Sequence, residues 1–299
     1  MRNSREMQLE TPLGRRAGLH WPQPRAPRVL CLHGWFDNAE SFTPLAPHLD
    51  QLELFALDLP GHGRSEHRHQ TARYHFIDYL WDVDAVLDAL AWDDCHLIGH
   101  SMGAAISTVY CAGAPERVRS AILLDTLGPI SVTAETSTDR LRRSLAKNRR
   151  ARRSPRPYAS IDDMVAARLK DSDLSEFSAR LLCERSAHRV EDHFEWRSDP
   201  AINWVSSLMM TDEQALHFLR HVEAPVLSLM AEPAPVWSSE EKNARRREAI
   251  PDGRHEIIEG HHHFHMDEPA KIAETIQSFI LQHDQPANTR GQHEQPDQN

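Results

Sequence analysis

Leu97-Ile98-Gly99-His100-Ser101-Met102-Gly103-Ala104-Ala105 is the stretch that decides how this chain is read. Cys95 to Ile98 is a short apolar run, and Ala104 to Ala112 is apolar with small residues. The segment therefore reads as a buried strand, a Gly-x-Ser-x-Gly turn and the start of a helix. Such a turn holds its serine in a cramped backbone, with the hydroxyl standing clear at the top of a sheet. Gly99 and Gly103 lack a Cβ, so strand and helix can approach closely on either side of Ser101. The N–H of Met102 lies at a helix N-terminus and can face developing negative charge. The pentapeptide alone is a weak signal; its flanks make it specific.

Outward from this turn, strands and helices alternate. Leu9 to Trp21 predicts an antiparallel hairpin turning near Pro12-Leu13-Gly14. Arg28 to Leu32 reads as a buried strand, Ala39 to Leu49 as a helix and Leu52 to Leu59 as a strand. Phe76 to Trp92 carries Ile77, Leu80, Val83, Val86, Leu87 and Leu90 at helical spacing. Val118 to Leu124 is a further strand. From Pro129 to about His221 the patterns are helical, with no convincing strand. Alternation resumes with a strand over Pro225 to Met230, a helix over Glu240 to Ala249, a strand over His255 to Ile258 and a helix over Pro269 to Gln282. This order predicts an α/β fold with a mostly parallel sheet, formed by 1–129 and 222–284. A helical cap is expected over 130–221. The tail, 285–299, is Gln, Asn, Asp and Pro with little to bury, and is expected to be disordered.

The chain has 299 residues, 40% hydrophobic and 26% charged, which suits one large globular domain with an insertion. A formal net charge of −10 argues against nucleic acid as the main partner. The basic run Arg140 to Arg156 reads as a solvated helix of the cap in preference to an anion-attracting rim over the active site or a nucleic-acid patch. No apolar run is long enough to span a membrane, and no hydrophobic region follows Met1 to Glu6. No membrane association, no signal peptide and a cytoplasmic location are expected. Cys31, Cys95, Cys111 and Cys183 form no close pair and read as reduced core thiols.

Three further motifs fall at strand ends. His33-Gly34-Trp35 follows the first parallel strand, where the Trp35 N–H can act as a second oxyanion donor. Asp58-Leu59-Pro60-Gly61-His62-Gly63-Arg64-Ser65 follows the next and reads as a structural turn tied down by Asp58 and Arg64. Gly260-His261-His262-His263-Phe264-His265-Met266-Asp267-Glu268-Pro269 follows the last strand, where a histidine can reach Ser101 as general base. Together these motifs resemble the α/β-hydrolase superfamily over the whole chain except its tail, with wording most similar to the serine hydrolase-like proteins. The resemblance implies Ser101 as nucleophile, His262 as base, and the Trp35 and Met102 N–H groups as the oxyanion hole. The acid departs from the usual pattern. The turn after Pro225 to Met230 reads Ala231-Glu232-Pro233-Ala234-Pro235, with Ala234 where a carboxylate is expected. Asp125, at the end of the preceding strand, is the favoured replacement; Glu232 and the absence of any acid stay open.

His261, His262, His263 and His265 also invite a metal reading. Adjacent histidines on one loop rarely converge on one ion and no cysteine or carboxylate pattern completes a site, so no metal and no cofactor are expected. Trp35, Phe36, Trp196, Trp204 and Met209 are candidates for an apolar acyl pocket, or for packing between cap and sheet. The expected function is hydrolysis of a carboxylic ester or related acyl bond of a small-molecule substrate, through an acyl-enzyme on Ser101. The missing acid at Ala234 keeps a second reading open: a degenerate hydrolase that binds a ligand or partner without turnover.

Overall fold

Short apolar runs too brief for helices pair edge to edge in the computed structural model, which describes residues 3–70, 72–148, 156–170, 172–204, 206–235 and 239–284. The strands are β1 (Arg5–Thr11), β2 (Gly14–Trp21), β3 (Arg28–Leu32), β4 (Glu53–Leu57), β5 (Cys95–His100), β6 (Val118–Leu124), β7 (Ala187–Val190), β8 (His193–Trp196), β9 (Val226–Glu232) and β10 (Gly253–Glu259). Eight of them form one sheet in the order β1-β2-β4-β3-β5-β6-β9-β10. From β4 to β10 every pairing is parallel; β2 is antiparallel to β4, and β1 to β2. Every residue of β5 is buried, as a central strand covered on both faces requires. Strand order reverses between β3 and β5, so the crevice beyond their carboxyl ends is where an open α/β sheet places a ligand.

The helices are α1 (Asp78–Ala89), α2 (Met102–Gly113), α3 (Ser137–Asn148), α4 (Ile161–Leu169), α5 (Glu176–Ser186), α6 (Asp212–Arg220), α7 (Glu240–Ala249), α8 (Phe264–Asp267) and α9 (Ala270–Gln282). One face of the sheet buries Val83, Val86 and Leu87 of α1 with Ala104, Ile106 and Tyr110 of α2. The other buries Ile272, Ile276, Phe279 and Ile280 of α9. At roughly 1.5–3 kcal/mol for each large apolar side chain, these two layers dominate the stability of the sheet.

The structure departs from the sequence reading at two places. Ala39 to Leu49 is not one helix but two 3₁₀ turns, Ala39–Phe42 and Ala46–His48. Pro44 and Pro47 lack the N–H groups that a continuous helix would need there. The segment between β6 and β9 holds α3 to α6, and also the antiparallel hairpin of β7 and β8, where no strand was expected. Its strands are four residues each and mix His, Arg and Glu with apolar residues, too short to establish a period. Met164, Val165, Leu174, Ala179, Leu182 and Cys183 of the segment form a small core together with Met266 of α8. The basic run enters α3, and its residues 149–155 lie outside the described residues, as does the tail 285–299. The cysteines are buried and free. Among the described residues no helix is long and apolar enough to cross a membrane.

Candidate active site

Ser101 joins β5 to α2 with φ 52° and ψ −114°, a sparsely populated positive-φ conformation that costs an L-residue about 1–3 kcal/mol. Its N–H donates to Leu124 O at 3.0 Å, and its carbonyl accepts the Ala105 N–H at 3.1 Å to start the helix. A Cβ at Gly103 would come within 1.9 Å of Leu32 O, and one at Gly99 within 2.5 Å of Ala104 N. Strand, turn and helix are thus pressed together as closely as the absence of side chains allows.

Asp125 directly follows β6, the strand beside Ser101, and also has a positive φ, 54°. Its N–H donates to Leu229 O at 2.8 Å. Its Oδ1 accepts the Ala231 N–H at 2.8 Å, and its Oδ2 lies 2.5 Å from His262 Nδ1. The Asp125 side chain is fully buried, whereas that of His262 is 20% exposed. With Nδ1–H directed at the carboxylate, the neutral ring carries its lone pair on Nε2. The His262 ring lies 4.6 Å, centroid to centroid, from that of His100, the residue preceding Ser101, with the two planes tilted by 46°. Glu232, the other candidate acid, stands exposed at the end of β9, where its backbone carbonyl accepts the Gly260 N–H at 3.1 Å.

The His33-Gly34 turn abuts the elbow: a Cβ built on Gly34 would lie 3.2 Å from Ser101 Cβ. Trp35 follows Gly34 in this turn, and Met102 is the first residue of α2. The Trp35 ring itself is 50% exposed and packs 4.4 Å from Phe36. His33 is structural: Nδ1 donates to Gly34 O at 2.7 Å and Nε2 accepts the Leu59 N–H at 3.0 Å. Burial pushes its pKa down to about 4, and that of the neighbouring His62 down to about 3.

The remaining histidines of the terminal loop divide by burial. His261 is exposed, whereas His265 is buried, with Nε2 2.9 Å from Ser41 Oγ. His263 Nε2 lies 3.2 Å from Asp37 Oδ2, and Arg168 of α4 donates to Asp37 Oδ1 at 2.5 Å. Burial pushes the Asp37 pKa up, but His263 and Arg168 outweigh it and hold the carboxyl well below its usual range. His100 Nε2 donates to the carbonyl of His262 at 3.0 Å, and burial pushes its pKa down to about 3. The sequence reading missed Asp37. Its only signal is a carboxylate in the loop after a buried strand, where it must find a partner.

Asp58 ties its loop as expected, through the backbone of Arg64, whose N–H it accepts at 2.8 Å. It also accepts the Ala39 N–H at 2.8 Å. Its ionic partner is Arg185 of α5, with contacts of 3.0, 2.9 and 2.7 Å, and this was not foreseen. Of the proposed apolar lining, Trp196 packs edge-on against Tyr158 in the inserted segment, and Trp204 lies 4.2 Å beneath the guanidinium of Arg73. Met209 is half-buried.

Residues 27–269 match the model of the α/β hydrolase fold family. The chain is 31% identical to a serine hydrolase-like protein of Danio rerio, over 97% of this chain and 92% of that one. It is 29% identical to serine hydrolase-like protein 2 of Homo sapiens, over 92% of this chain and 93% of that one. Among solved structures, a hypothetical protein from Pseudomonas aeruginosa PAO1 superposes with a TM-score of 0.87 at 33% identity, covering 92% of this chain and 99% of that one. With a mostly parallel eight-stranded sheet, a serine elbow after β5 and these relatives along nearly its whole length, the chain belongs to the α/β-hydrolase family.

Proposed function

We propose that the protein is a serine hydrolase that cleaves a carboxylic ester or related acyl bond through an acyl-enzyme on Ser101. The observation that carries this reading is the 2.5 Å pairing of Asp125 Oδ2 with His262 Nδ1, beside a serine held at positive φ. Ser101 Oγ attacks the substrate carbonyl carbon while its proton passes to His262 Nε2. Asp125 stabilises the imidazolium and keeps the ring in the tautomer that can accept that proton. The N–H groups of Trp35 and Met102 receive the charge on the carbonyl oxygen. His262 then protonates the leaving group, and water activated by the same ring releases the acid.

In this reading residues 130–221 form the cap, and selectivity among acyl groups arises between cap and sheet. A non-catalytic reading rests on Ala234; the pairing of buried Asp125 with His262 supports the catalytic one instead. Labelling with a fluorophosphonate probe tests the proposal, because only an activated serine reacts. Wild-type protein should label and Ser101→Ala should not. Absence of labelling in folded wild-type protein, or equal labelling of the variant, would overturn the reading.

A further inference from the structure

We propose that Asp37, His100 and His263 form a binding site for one divalent transition-metal ion of the zinc type, and that occupancy inhibits the enzyme. The three side chains are buried, and each brings one ligand atom to within 4.8 Å of the others. Asp37 Oδ2 stands 3.4 Å from His100 Nδ1 and 3.2 Å from His263 Nε2. Zinc bonds of about 2.0–2.1 Å at the tetrahedral angle separate neighbouring ligand atoms by about 3.3 Å. Two edges of such a tetrahedron are therefore already in place.

The tautomers strengthen the case. His100 Nε2 donates to His262 O, so the neutral ring turns its Nδ1 lone pair toward a carboxylate oxygen. That buried Nδ1 has no hydrogen-bond partner. Two electron-rich atoms facing one another across a buried space are the arrangement a cation relieves. Gly34 borders this cluster, and a Cβ there would crowd it, at 2.9 Å from Asp37 Oδ2 and 3.0 Å from His100 Nδ1. Two imidazoles and one carboxylate favour zinc, cobalt or nickel over magnesium or calcium. Binding transfers the Nε2 proton of His263 to Nδ1 of the same ring, so no net charge is lost. The His100 N–H is already held by a carbonyl, as a ligating imidazole needs. His263 Nδ1 has no partner, which limits the site to moderate affinity. Inhibition follows because both ligating histidines are chain neighbours of the proposed reacting residues, Ser101 and His262.

This inference goes beyond the proposed hydrolysis, and its first readouts use no substrate. Zn²⁺ should bind at one stoichiometric site by calorimetry and raise the melting temperature. Co²⁺ should develop the visible absorption band of a four-coordinate nitrogen and oxygen site. His263→Gln keeps a donor toward Asp37 but removes the imidazole; it should weaken binding at this site at least tenfold and relieve inhibition of probe labelling in parallel. If the wild type lacks a stoichiometric site or the cobalt band, the proposal fails without recourse to any variant. It also fails if His263→Gln binds as tightly as wild type, or if His262→Asn alone abolishes binding, which would move the ion to the Asp125 pair.

Discussion

Asp125 and His262, 137 residues apart in sequence, meet at 2.5 Å because Asp125 Oδ1 is fixed by the Ala231 N–H at 2.8 Å. Only Oδ2 is left to face the ring. This arrangement predicts the effect of Asp125→Asn in detail. The Asn carbonyl must stay on the Ala231 N–H, which places the NH₂ group against His262 Nδ1. That nitrogen must then accept, so the ring proton moves to Nε2 and the ring can no longer take a proton from Ser101. The loss in kcat should approach about 10⁴, as when the equivalent acid of a serine protease is changed to Asn. Glu232→Gln should cost far less. Kinetics on any ester that turns over measures both, and the reverse ranking would reassign the acid.

The strands were the most legible part of the chain. Those buried on both faces are continuous apolar runs, and β3, β6 and α7 have the bounds their sequences suggest. Ala39 to Leu49 misled because its apolar spacing is helical while its prolines remove the donors. Ser101 announced itself through local glycines. Asp125 could be favoured over Glu232 but not fixed, since the contact that selects it lies on a distant loop. Arg185 and Arg168 were invisible as partners of the sheet loops. Their carboxylates, Asp58 and Asp37, lie 127 and 131 residues away, and on a helix either arginine reads as an ordinary surface charge.

Arg185 gives the second prediction. Its side chain is 2% exposed and that of Asp58 is fully buried, and the guanidinium also reaches Glu6 at 2.8 Å. Arg185→Met fills similar volume but leaves Asp58 with backbone donors alone. Breaking a buried pair from one side costs about 3–5 kcal/mol. Urea unfolding should show a loss of that size; a change below about 1 kcal/mol would mean that water reaches Asp58 and compensates.

Acid should weaken the fold before it protonates most carboxylates. Burial lowers the pKa of His33 to about 4 and that of His62 to about 3, from 6.5. Below 6.5 the unfolded chain binds protons at these rings and the folded chain does not. Their stability is therefore fully present above pH 6.5 and is lost as pH falls from 6.5 toward 4. Each ring contributes a slope of at most ~1.4 kcal/mol per pH unit. Protonating His33 would also turn the Leu59 N–H against a charged donor at a 3.0 Å contact. Urea midpoints should thus fall steadily between about pH 6.5 and pH 5, and His62→Gln should flatten that fall. A midpoint independent of pH over this window would show that neither ring is held neutral.

Two glycines near Ser101 separate folding from chemistry. A Cβ at Gly103 would lie 1.9 Å from the backbone oxygen of Leu32, so α2 would have to part from β3. Gly103→Ala should therefore cost at least ~3 kcal/mol and impair recovery of folded protein. A Cβ at Gly34 would meet Asp37 Oδ2 at 2.9 Å, His100 Nδ1 at 3.0 Å and Ser101 Cβ at 3.2 Å. These are side-chain atoms, and they can yield by a few tenths of an ångström. Gly34→Ala should cost only ~1–2 kcal/mol in stability. Yet the atoms that yield surround the serine and the peptide that carries the Trp35 N–H. Misplaced donors lower rates steeply, so kcat/KM should drop by at least ~10² while the melting temperature falls little. The same methyl group presses on Asp37 Oδ2 and His100 Nδ1, two of the three proposed metal ligands, so metal binding should weaken as well. A Gly34→Ala protein that keeps full activity would place the oxyanion donors elsewhere than the His33-Gly34-Trp35 turn.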